Sequence, residues 1–372
     1  MSYNTKWVQL GDYIEECDER NFDSKDYAVL GVNINKTFIP TLANIEGVNL
    51  SKYKVVRNGM FVFSGMQTGR DICIRIALYT QKQPCIISPA YTTFRIKDSK
   101  KILSEYLFIY FNRKESDRYG AFISDSSVRA NLDWERFLDI QIPLPSIEEQ
   151  QKVVNVWKSF REIKEQNEAI VSPLMQVCKS YIQELKREYK EVEIGGYIEE
   201  CNERNFRNKY DVDSLRGVTS DGLFEQSKAK TDELEFDNYK IVKTGNFAYN
   251  PSRINLGSIA LCKLGTYIIS PMYIVFRIKE ECQTIILPKF LNIWFRRSEF
   301  QRSTSFFVAG SVRDTFNFSN MEKVKIPLPP MDVQEKIVKV YNCATEAKRI
   351  ADEADRMSRE VCPLLIQHII HN

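Results

Sequence analysis

Histidine is nearly absent from the sequence. Only His368 and His371 occur among 372 residues, both within the last five positions. We therefore expect no histidine-dependent catalytic triad, no histidine-rich metal site and no histidine general base in a central cleft. The scarcity of histidine does not exclude catalysis by carboxylates alone.

Metal-binding cysteine pairs and long apolar runs are also missing. The nine cysteines include no C-x-x-C pair, and Cys17 and Cys201 occupy matching positions of an internal repeat, which favours reduced core thiols over a disulfide framework or a zinc site. No apolar run approaches the roughly 18 residues of a membrane span, and the N-terminus lacks a run of signal-peptide length. We expect a soluble, cytoplasmic protein with no membrane contact, no metal and no cofactor.

A strong excess of one charge is missing as well. Lys and Arg number 52 and Asp and Glu number 49, which gives a net charge of +3. No global basic field therefore points to a nucleic acid, and any surface that binds one must be local. With 43% hydrophobic and 27% charged residues, the chain has the composition of two ordinary globular domains.

The sequence does contain one architecture twice. Residues 11–22 read GDYIEECDERNF and residues 195–206 read GGYIEECNERNF, so ten of twelve positions match at an offset of 184. Further matches follow in the same order: YK at 53 and 239, ISP at 87 and 269, FRIK at 94 and 276, and IPLP at 142 and 326. The repeat is longer than the 20–50 residues of solenoid units, so each copy is a whole domain with a connector.

Local patterns predict a mixed α+β domain in each copy. Asn58-Gly59 and Thr244-Gly245 each separate two β-prone runs, within residues 53–63 and 239–249, and this pattern predicts β-hairpins. Further strands are predicted over 72–79 and 85–96 in the first copy and over 258–264 and 267–278 in the second. An amphipathic helix is predicted after each set, from Ser104 and from Pro288.

After each IPLP sequence, a heptad pattern of apolar residues predicts a long helix. The two seams are predicted to pass through positions 153, 156, 160, 163, 167, 170, 174, 177 and 181, and through 337, 340, 344, 347, 351, 354, 358, 361, 365 and 368. Alanines fill the centre of the second seam, so we expect the two helices to pack closely and antiparallel. Pro173 and Pro363 should kink or interrupt them.

Together these patterns predict an α+β protein: two mixed α/β domains in tandem, separated by two antiparallel coiled-coil helices with pseudo-two-fold symmetry. We expect the first domain over 1–146, the central helix over 147–188, the second domain over 189–330 and the C-terminal helix over 331–372. Two unlike domains at a set distance suit a two-fold ligand with unequal halves, such as double-stranded DNA. The plainer alternative is a stalk that only dimerises or stiffens the protein.

The paired sequences IPLPSIEEQQKVV (142–154) and IPLPPMDVQEKIV (326–338), together with YNPSRINLGSIA (249–260), closely resemble the specificity subunit of type I restriction-modification systems. The resemblance covers essentially the whole chain. It implies a non-catalytic subunit whose two target-recognition domains each read one half of a bipartite, asymmetric DNA sequence. It also implies that the helices dock two methyltransferase subunits, which methylate adenine N6 with S-adenosylmethionine, and that the complex can recruit restriction subunits.

The residues agree with a lack of catalysis in this chain. No F-x-G-x-G cofactor loop is present, and the nearest match to N-P-P-[YF], at residues 250–253, reads NPSR without the second proline and the aromatic. Two alternatives remain open beside DNA recognition. One is a self-contained DNA methyltransferase or nuclease, and the other is a duplicated coiled-coil scaffold that bridges protein partners without binding DNA.

Comparison of the two copies sorts the candidate DNA contacts. Discrimination between unlike half-sites must come from positions that differ, whereas shared residues can contact phosphate or support the fold. The divergent loops carry side chains that can pair bidentately with guanine or adenine edges. Our candidates for base reading on these loops are Gln67, Arg70, Arg253 and Asn255, each with a solvated loop residue as its alternative, and Asn250 is a further candidate contact with DNA.

Shared and clustered cations supply further candidates. Ser127-Val128-Arg129 recurs as Ser311-Val312-Arg313, so Arg129 and Arg313 are interpreted as phosphate contacts or structural braces. Arg20-Asn21 recurs as Arg204-Asn205, which favours structure or docking over a DNA contact. A cluster on the helix after the sheet either grips the DNA backbone or is a solvated face; it consists of Arg296, Arg297 and Arg302.

Matching polar residues at the start of each long helix are candidates for docking two identical partners. Gln150 and Lys152 of the first helix recur in register as Gln334 and Lys336 of the second. The structural alternative is capping and solvation of the helix N-terminus.

Overall fold

The computed structural model describes residues 5–227, 235–308 and 315–371. The chain forms two compact units, unit 1 from residues 1–167 and 350–372 and unit 2 from residues 168–349. The boundaries between them fall inside two long helices, so each unit contains one sheet domain and part of both helices. The four-segment division made from the sequence repeat stays a prediction.

The first half of the chain forms the following elements. Its strands are β1 (Lys6–Gln9), β2 (Ile14–Cys17), β3 (Ala28–Val32), β4 (Phe38–Pro40), β5 (Lys54–Val56), β6 (Phe61–Ser64), β7 (Arg75–Leu78), β8 (Cys85–Ile87), β9 (Thr92–Ile96) and β10 (Gln141–Leu144). Its helices are α1 (Thr68–Asp71), α2 (Ser104–Phe111), α3 (Lys114–Phe122), α4 (Trp134–Leu138) and the long α5 (Ile147–Glu188).

The second half repeats this order. Its strands are β11 (Glu191–Glu193), β12 (Ile198–Glu200), β13 (Arg216–Val218), β14 (Phe224–Gln226), β15 (Lys240–Lys243), β16 (Phe247–Tyr249), β17 (Ile259–Leu261), β18 (Thr266–Ile269), β19 (Ile274–Ile278) and β20 (Lys325–Pro327). Its helices are α6 (Pro288–Phe295), α7 (Ser298–Val308), α8 (Phe318–Glu322) and the long α9 (Met331–His371). A 3-10 turn over Ile254–Leu256 stands where unit 1 has α1.

The main sheet has the same topology in both units. Its strand order is β2-β9-β6-β7 in unit 1 and β12-β19-β16-β17 in unit 2, with antiparallel neighbours throughout. The register matches as well, since Glu15 lies opposite Arg95 and Glu199 opposite Arg277. The predicted duplication of a mixed α+β domain is therefore confirmed.

A second set of strands differs slightly between the units. In unit 1 it is one sheet of order β4-β3-β8-β5, in which β3 and β8 run parallel. In unit 2 the equivalent strands form two pairs, β13-β14 and β15-β18, linked by a single parallel bridge between Leu215 and Ile268.

The two predicted hairpins are wrong, although both turns exist. Met60 N donates to Arg57 O across the first turn and Asn246 N to Lys243 O across the second, but β5 pairs with β8 and β15 with β18. The two-residue turns that continue a hairpin as type I′ need a positive φ at both central residues. Only the glycines have one here, +82° at Gly59 and +89° at Gly245. The turns therefore send the following strand into the other sheet.

Each unit has an aromatic core beneath its main sheet. Phe61 and Phe94 stack with ring centroids 4.8 Å apart, and their counterparts Phe247 and Phe276 stack at 5.0 Å. All four rings are fully buried. The same core continues into the long helices, which therefore belong to the fold of both units.

The long helices run antiparallel within each unit. In unit 1, Val153 and Trp157 of α5 share a core with Ile366 and Ile369 of α9, and further along α5 Lys164 pairs with Asp355 at 2.8 Å. In unit 2 the end of α5 and the start of α9 meet in the same way, through Ile182 and Leu185 with Ile337 and Val338. Both helices continue through Pro173 and Pro363, so neither proline interrupts its helix, and the alternative of a kink stays a prediction.

The predicted seam is confirmed in the centre of α9 and at the start of α5, but it is shifted by one residue further along α5. Ala344, Ala347, Ala351 and Ala354 are buried as expected. On α5, Val153 is buried as predicted, but the other buried apolar positions are Val154, Trp157, Cys178, Ile182 and Leu185. The exposed ones are Ile163, Ile170, Val177 and Tyr181, at 40–48%. The helix carries two adjacent apolar stripes, and the more regular one in sequence is the one that faces solvent.

The shifted seam predicts opposite effects for two neighbouring residues. Replacing Ile182 by Ala should cost about 2–5 kcal/mol of unfolding free energy, because it opens a cavity in the core of unit 2. Replacing Tyr181 by Ala should change it by roughly 0.5 kcal/mol or less, because that side chain is exposed. Urea unfolding followed by far-UV circular dichroism measures both variants, and a larger loss for Tyr181→Ala would restore the sequence-based register.

Candidate nucleic-acid interface

The loop between β6 and β7 in unit 1 carries two of the base-reading candidates. It holds the short helix α1, which is bounded by Gln67 and Ile72, both in the left-handed region at φ +62° and +46°. A β-branched residue is rarely found there, and such strain concentrates at functional sites. The loop also needs Gly65, because a Cβ at that position would lie 1.6 Å from Leu132 O.

Arg70 is exposed on this loop and is oriented by its neighbours. Its Nη2 donates to Gln67 Oε1 at 2.6 Å and its Nε to Asp71 Oδ1 at 2.9 Å. The hydrogen bond from Arg70 also lowers the pKa of the Asp71 carboxyl, which therefore stays ionised at neutral pH. A guanidinium has five N–H donors, so three remain to meet a base edge. Gln67 and Asp71 thus fix the orientation of the Arg70 side chain while using only two of its five N–H donors.

The segment after α3 packs onto the same loop. Gly69 N donates to Ala130 O at 2.9 Å, Leu132 N to Gly65 O at 2.9 Å, and Gln67 N to Asn131 Oδ1 at 3.0 Å. Arg129 lies in this segment and is exposed. The structure therefore brings Gln67, Arg70 and Arg129 together on one end of unit 1.

Unit 2 builds its counterpart loop between β16 and β17. Phe316 N donates to Pro251 O at 2.9 Å, which is the same backbone contact as that from Leu132 to Gly65. Arg253 and Asn255 are exposed on the loop. Asn250 is 7% exposed, and its Oδ1 accepts Ser252 N at 3.0 Å. It shapes the turn, so its predicted contact with DNA is corrected to a structural role.

Arg313 lies outside the described residues, so its predicted phosphate contact stays a prediction.

Arg296 has a structural role that connects this loop to a neighbouring hairpin. Its Nη1 donates to Gly257 O at 2.6 Å and its Nη2 to Ser220 O at 2.8 Å. Burial lowers the pKa of its guanidinium. In unit 1 the cation belongs to the hairpin instead of the helix. Lys36 Nζ of the equivalent hairpin donates to Phe111 O and, at 2.7 Å, to Asp117 Oδ1. One cation, buried in unit 1 and half-buried in unit 2, therefore links hairpin to helix in each unit.

Arg297 is packed rather than presented to a ligand. Its guanidinium lies 4.3 Å from the ring centroid of Trp294 and 3.5 Å from Glu299, and burial lowers its pKa. Its counterpart Arg113 makes the matching contacts with Tyr110 and Glu115. This repeated brace between two helices leaves Arg297 unsuited to the predicted grip on DNA. Arg302, by contrast, is exposed on α7.

The recurring Arg-Asn pair of the repeat motif also serves the fold. Arg20 Nη1 donates to Lys52 O and Arg204 Nη1 to Asn238 O, each at 2.7 Å. The structural interpretation of these residues, favoured from sequence, therefore accounts for them.

The two glutamines predicted to dock partners are fully buried. Gln150 Oε1 accepts Leu103 N at 2.9 Å, and its Nε2 donates to the carbonyl oxygens of Lys101 and Pro145, both at 3.0 Å. Gln334 makes the same three bonds in unit 2, with Leu287, Ile285 and Pro329. Neither side chain can dock a partner. Lys152 and Lys336 are exposed, at 68% and 65%, and stay candidates.

Comparison with protein families matches both halves of the chain to one domain. The family model for the type I restriction modification DNA specificity domain matches residues 19–171 and again residues 188–342. The chain belongs to this family. Each copy of the specificity domain contains one of the exposed loops described above.

Two relatives of the specificity-domain family show how far the likeness extends. The type I restriction enzyme MjaIX specificity subunit of Methanocaldococcus jannaschii is 30% identical over 104 residues, which cover 27% of this chain and 24% of that protein. The match thus spans about a quarter of the relative. The crystal structure of the type I restriction-modification system S subunit from M. genitalium aligns over 99% of this chain and 96% of that chain, with 10% identity and a TM-score of 0.63. This likeness confirms the predicted fold class.

Sequence reasoning missed several residues of these specificity domains. Lys36 and Arg113 gave no signal as buried cations, because each is an ordinary charged residue in its local sequence. Arg118 was missed although a signal existed, since it aligns with Arg302 at the offset of 184. In the described ranges, no helix is long and apolar enough to cross a lipid bilayer.

The buried glutamine predicts a large stability effect at the start of α5. Gln150→Leu should cost on the order of 1–3 kcal/mol for each backbone partner that it leaves both unpaired and shielded from water, above all Pro145 O, whose hydrogen bond is buried. The exposed neighbour Gln151 provides the control, because Gln151→Leu removes only a hydrogen bond to Asn155 at the surface. Equal urea midpoints for the two variants would contradict the structural role of Gln150.

Proposed function

We propose that the protein is the DNA-recognition subunit of a type I restriction-modification enzyme, in which each unit reads one half of a bipartite, asymmetric site. One observation carries the proposal. The two specificity domains share strand order, register and core, yet present different polar side chains from the same loop, Gln67 and Arg70 in one and Arg253 and Asn255 in the other. Two equal scaffolds with unequal loops suit a ligand with two unequal halves.

The chemistry of the loops supports base reading. Arginine pairs bidentately with the O6 and N7 of guanine, and asparagine or glutamine with the N6 and N7 of adenine. Arg70 keeps two unused donors on Nη1 and one on Nη2, which is the set that a guanine edge requires. The exposed Arg129 beside it suits a phosphate, which would fix the position of the loop on the duplex.

The proposal includes partners for the long helices. We infer that two methyltransferase subunits dock on α5 and α9, through Lys152 and Lys336 and through apolar side chains that the fold leaves exposed. On the part of α5 in unit 2 these are Ile170, Val177 and Tyr181, at 48%, 42% and 45% exposure. The assembled enzyme can then recruit restriction subunits. Catalysis belongs to the partners, and the cytoplasm, where the DNA is found, is the compartment we propose.

Mapping of methylated adenines tests this function. The full chain is expressed with and without its methyltransferase partner, and a plasmid library is sequenced by a method that detects modified adenine. A bipartite motif with a fixed gap, found only when both proteins are present, is the expected result. Methylation by this chain alone would make it an enzyme. If the methyltransferase binds the chain but no methylated motif is found, the result would favour a protein scaffold.

The loop geometry predicts that Arg70→Ala relaxes one half-site only. Loss of a bidentate contact with a base should reduce discrimination at one position by about 1–3 kcal/mol, while the other half of the motif stays unchanged. Arg70→Lys should not restore it, because an ammonium lacks the planar pair of donors.

Arg57 offers the matched control for this variant. It is 49% exposed and paired with Glu19, and it lies at the other end of β6. Arg57→Ala should leave the methylated motif intact. Relaxation of both half-sites by Arg70→Ala would remove Arg70 from base reading.

A further inference from the structure

Helices α3 and α7 differ in sequence except at three positions. Residues 114–122 read KESDRYGAF and residues 298–306 read SEFQRSTSF, and the shared residues are Glu, Arg and Phe. All three are exposed in both units: Glu115, Arg118 and Phe122 in α3, and Glu299, Arg302 and Phe306 in α7. The buried positions of the same helices differ, with Ser116 and Gly120 in α3 and Phe300 and Thr304 in α7.

This pattern is the reverse of what folding alone requires. Contacts in a core constrain buried side chains, whereas exposed positions away from special features tolerate change with little effect on stability. The shared glutamates are explained within each unit, since they pair with Arg113 and Arg297. In the part of the chain that the structure describes, Arg118 and Arg302 form no ion pair. Phe122 and Phe306 are 83% and 82% exposed.

The shared arginine and phenylalanine lie on one face of each helix. They are four residues apart, which places them one above the other on successive turns. Both helices border the loops that carry the base-reading candidates. A Cβ on Gly69 of α1 would lie 3.2 Å from Ser124 Cβ, just after α3, and one on Gly257, just after the 3-10 turn, would lie 3.0 Å from Gln301 Nε2 of α7.

We propose that Arg118 with Phe122, and Arg302 with Phe306, anchor each unit to DNA at a position that does not depend on sequence. The guanidinium binds a backbone phosphate, and the phenyl ring packs as an apolar wedge against the sugar and base stack beside it. This proposal rests on the proposed function and extends it to residues that grip any duplex. Because the two half-sites differ, side chains that are identical in both units must contact what all DNA shares.

DNA fits these pairs better than a protein partner does. Each pair stands beside the loop at the reading end of its unit, whereas the surfaces proposed for the methyltransferase lie on α5 and α9. Arg118 and Arg302 are exposed cations that form no direct ion pair in the described structure, although the charge of Arg302 helps to lower the pKa of Glu299. Phosphate supplies the complementary charge for both. The neighbouring Arg129 in unit 1 adds a second exposed cation.

Binding to two duplexes tests the proposal. The full chain in complex with its methyltransferase is titrated against a 40-base-pair duplex that carries the bipartite motif from the methylation map, and against one with both half-sites scrambled. Arg118→Ala should weaken binding to both duplexes by the same factor and reduce the salt slope by about 1. Phe122→Ala should weaken both equally, by roughly tenfold for a lost contact of typical size. The methylated motif should keep its sequence in both variants.

The same helix supplies the controls. Lys114 and Tyr119 are exposed but are Ser298 and Ser303 in the other unit, so Lys114→Ala and Tyr119→Ala should leave affinity for both duplexes unchanged. Size-exclusion chromatography of each complex measures assembly, and circular dichroism measures folding. Intact folding and assembly with wild-type affinity would overturn the anchor, as would a loss confined to one motif position.

The outcomes separate this anchor from the proposed function. Loss of methyltransferase assembly in Phe122→Ala, with the folded chain intact, would assign the pair to the protein partner instead. If the wild-type complex yields a bipartite motif and the variants bind DNA normally, the anchor fails and the DNA-recognition function stands. If the wild-type complex binds neither duplex, the proposed function itself fails.

Discussion

A buried glutamine at the start of each long helix couples that helix to its sheet domain. Gln150 and Gln334 each join a helix N-terminus, the turn that precedes it and the segment that leads into α2 or α6, through three hydrogen bonds to backbone groups. Backbone groups in a core must find partners, so neither helix can rotate on its domain without leaving several unpaired. This glutamine therefore fixes the orientation of each sheet domain on its long helix, together with the apolar core that the two share, and it recurs in register in both halves.

The two units contain equivalent stabilising contacts, some made by the same residue types at matching positions and one made by different residues. The stacked phenylalanine pairs and the brace of arginine, aromatic and glutamate are repeated nearly unchanged. The cation that links hairpin to helix is exchanged instead. Lys36 extends from the hairpin in unit 1, whereas Arg296 extends from the end of α6 in unit 2, where the hairpin has Gly222. A Cβ on Gly222 would lie 2.5 Å from the Arg296 guanidinium, so the two solutions exclude each other. A cation stands between the hairpin and the helix in both units, but a lysine of the hairpin supplies it in unit 1 and an arginine at the end of the helix supplies it in unit 2.

The sequence predicted the order of elements well and their partners less well. The repeat, the mixed sheets and the two long helices followed from periodicity, which depends on local geometry. The hairpins failed because one positive φ at Gly59, where two were required, directs β6 away from β5. The seam of α5 failed because Ile163 and Ile170 form a regular apolar series, while the face that packs includes Lys164, a residue that reads as polar. The burial of Gln150 was missed because a buried glutamine has no local signal and two of its three partners lie 47 and 49 residues away.

The loops can change their side chains because their main chain is held from elsewhere. In both units the loop after the central strand is fixed by a backbone hydrogen bond of 2.9 Å, from Leu132 to Gly65 O and from Phe316 to Pro251 O. The glycine and proline at these positions serve the close approach and the turn, and the exposed residues between them contribute little to the core. A substitution at Arg70 or Arg253 therefore alters what the loop presents while leaving its path intact. Because the path of the main chain does not depend on the exposed side chains, one fold can present unlike loops in the same chain. Under the proposed function, a DNA contact common to both units would therefore lie outside the loops, on the helices that border them.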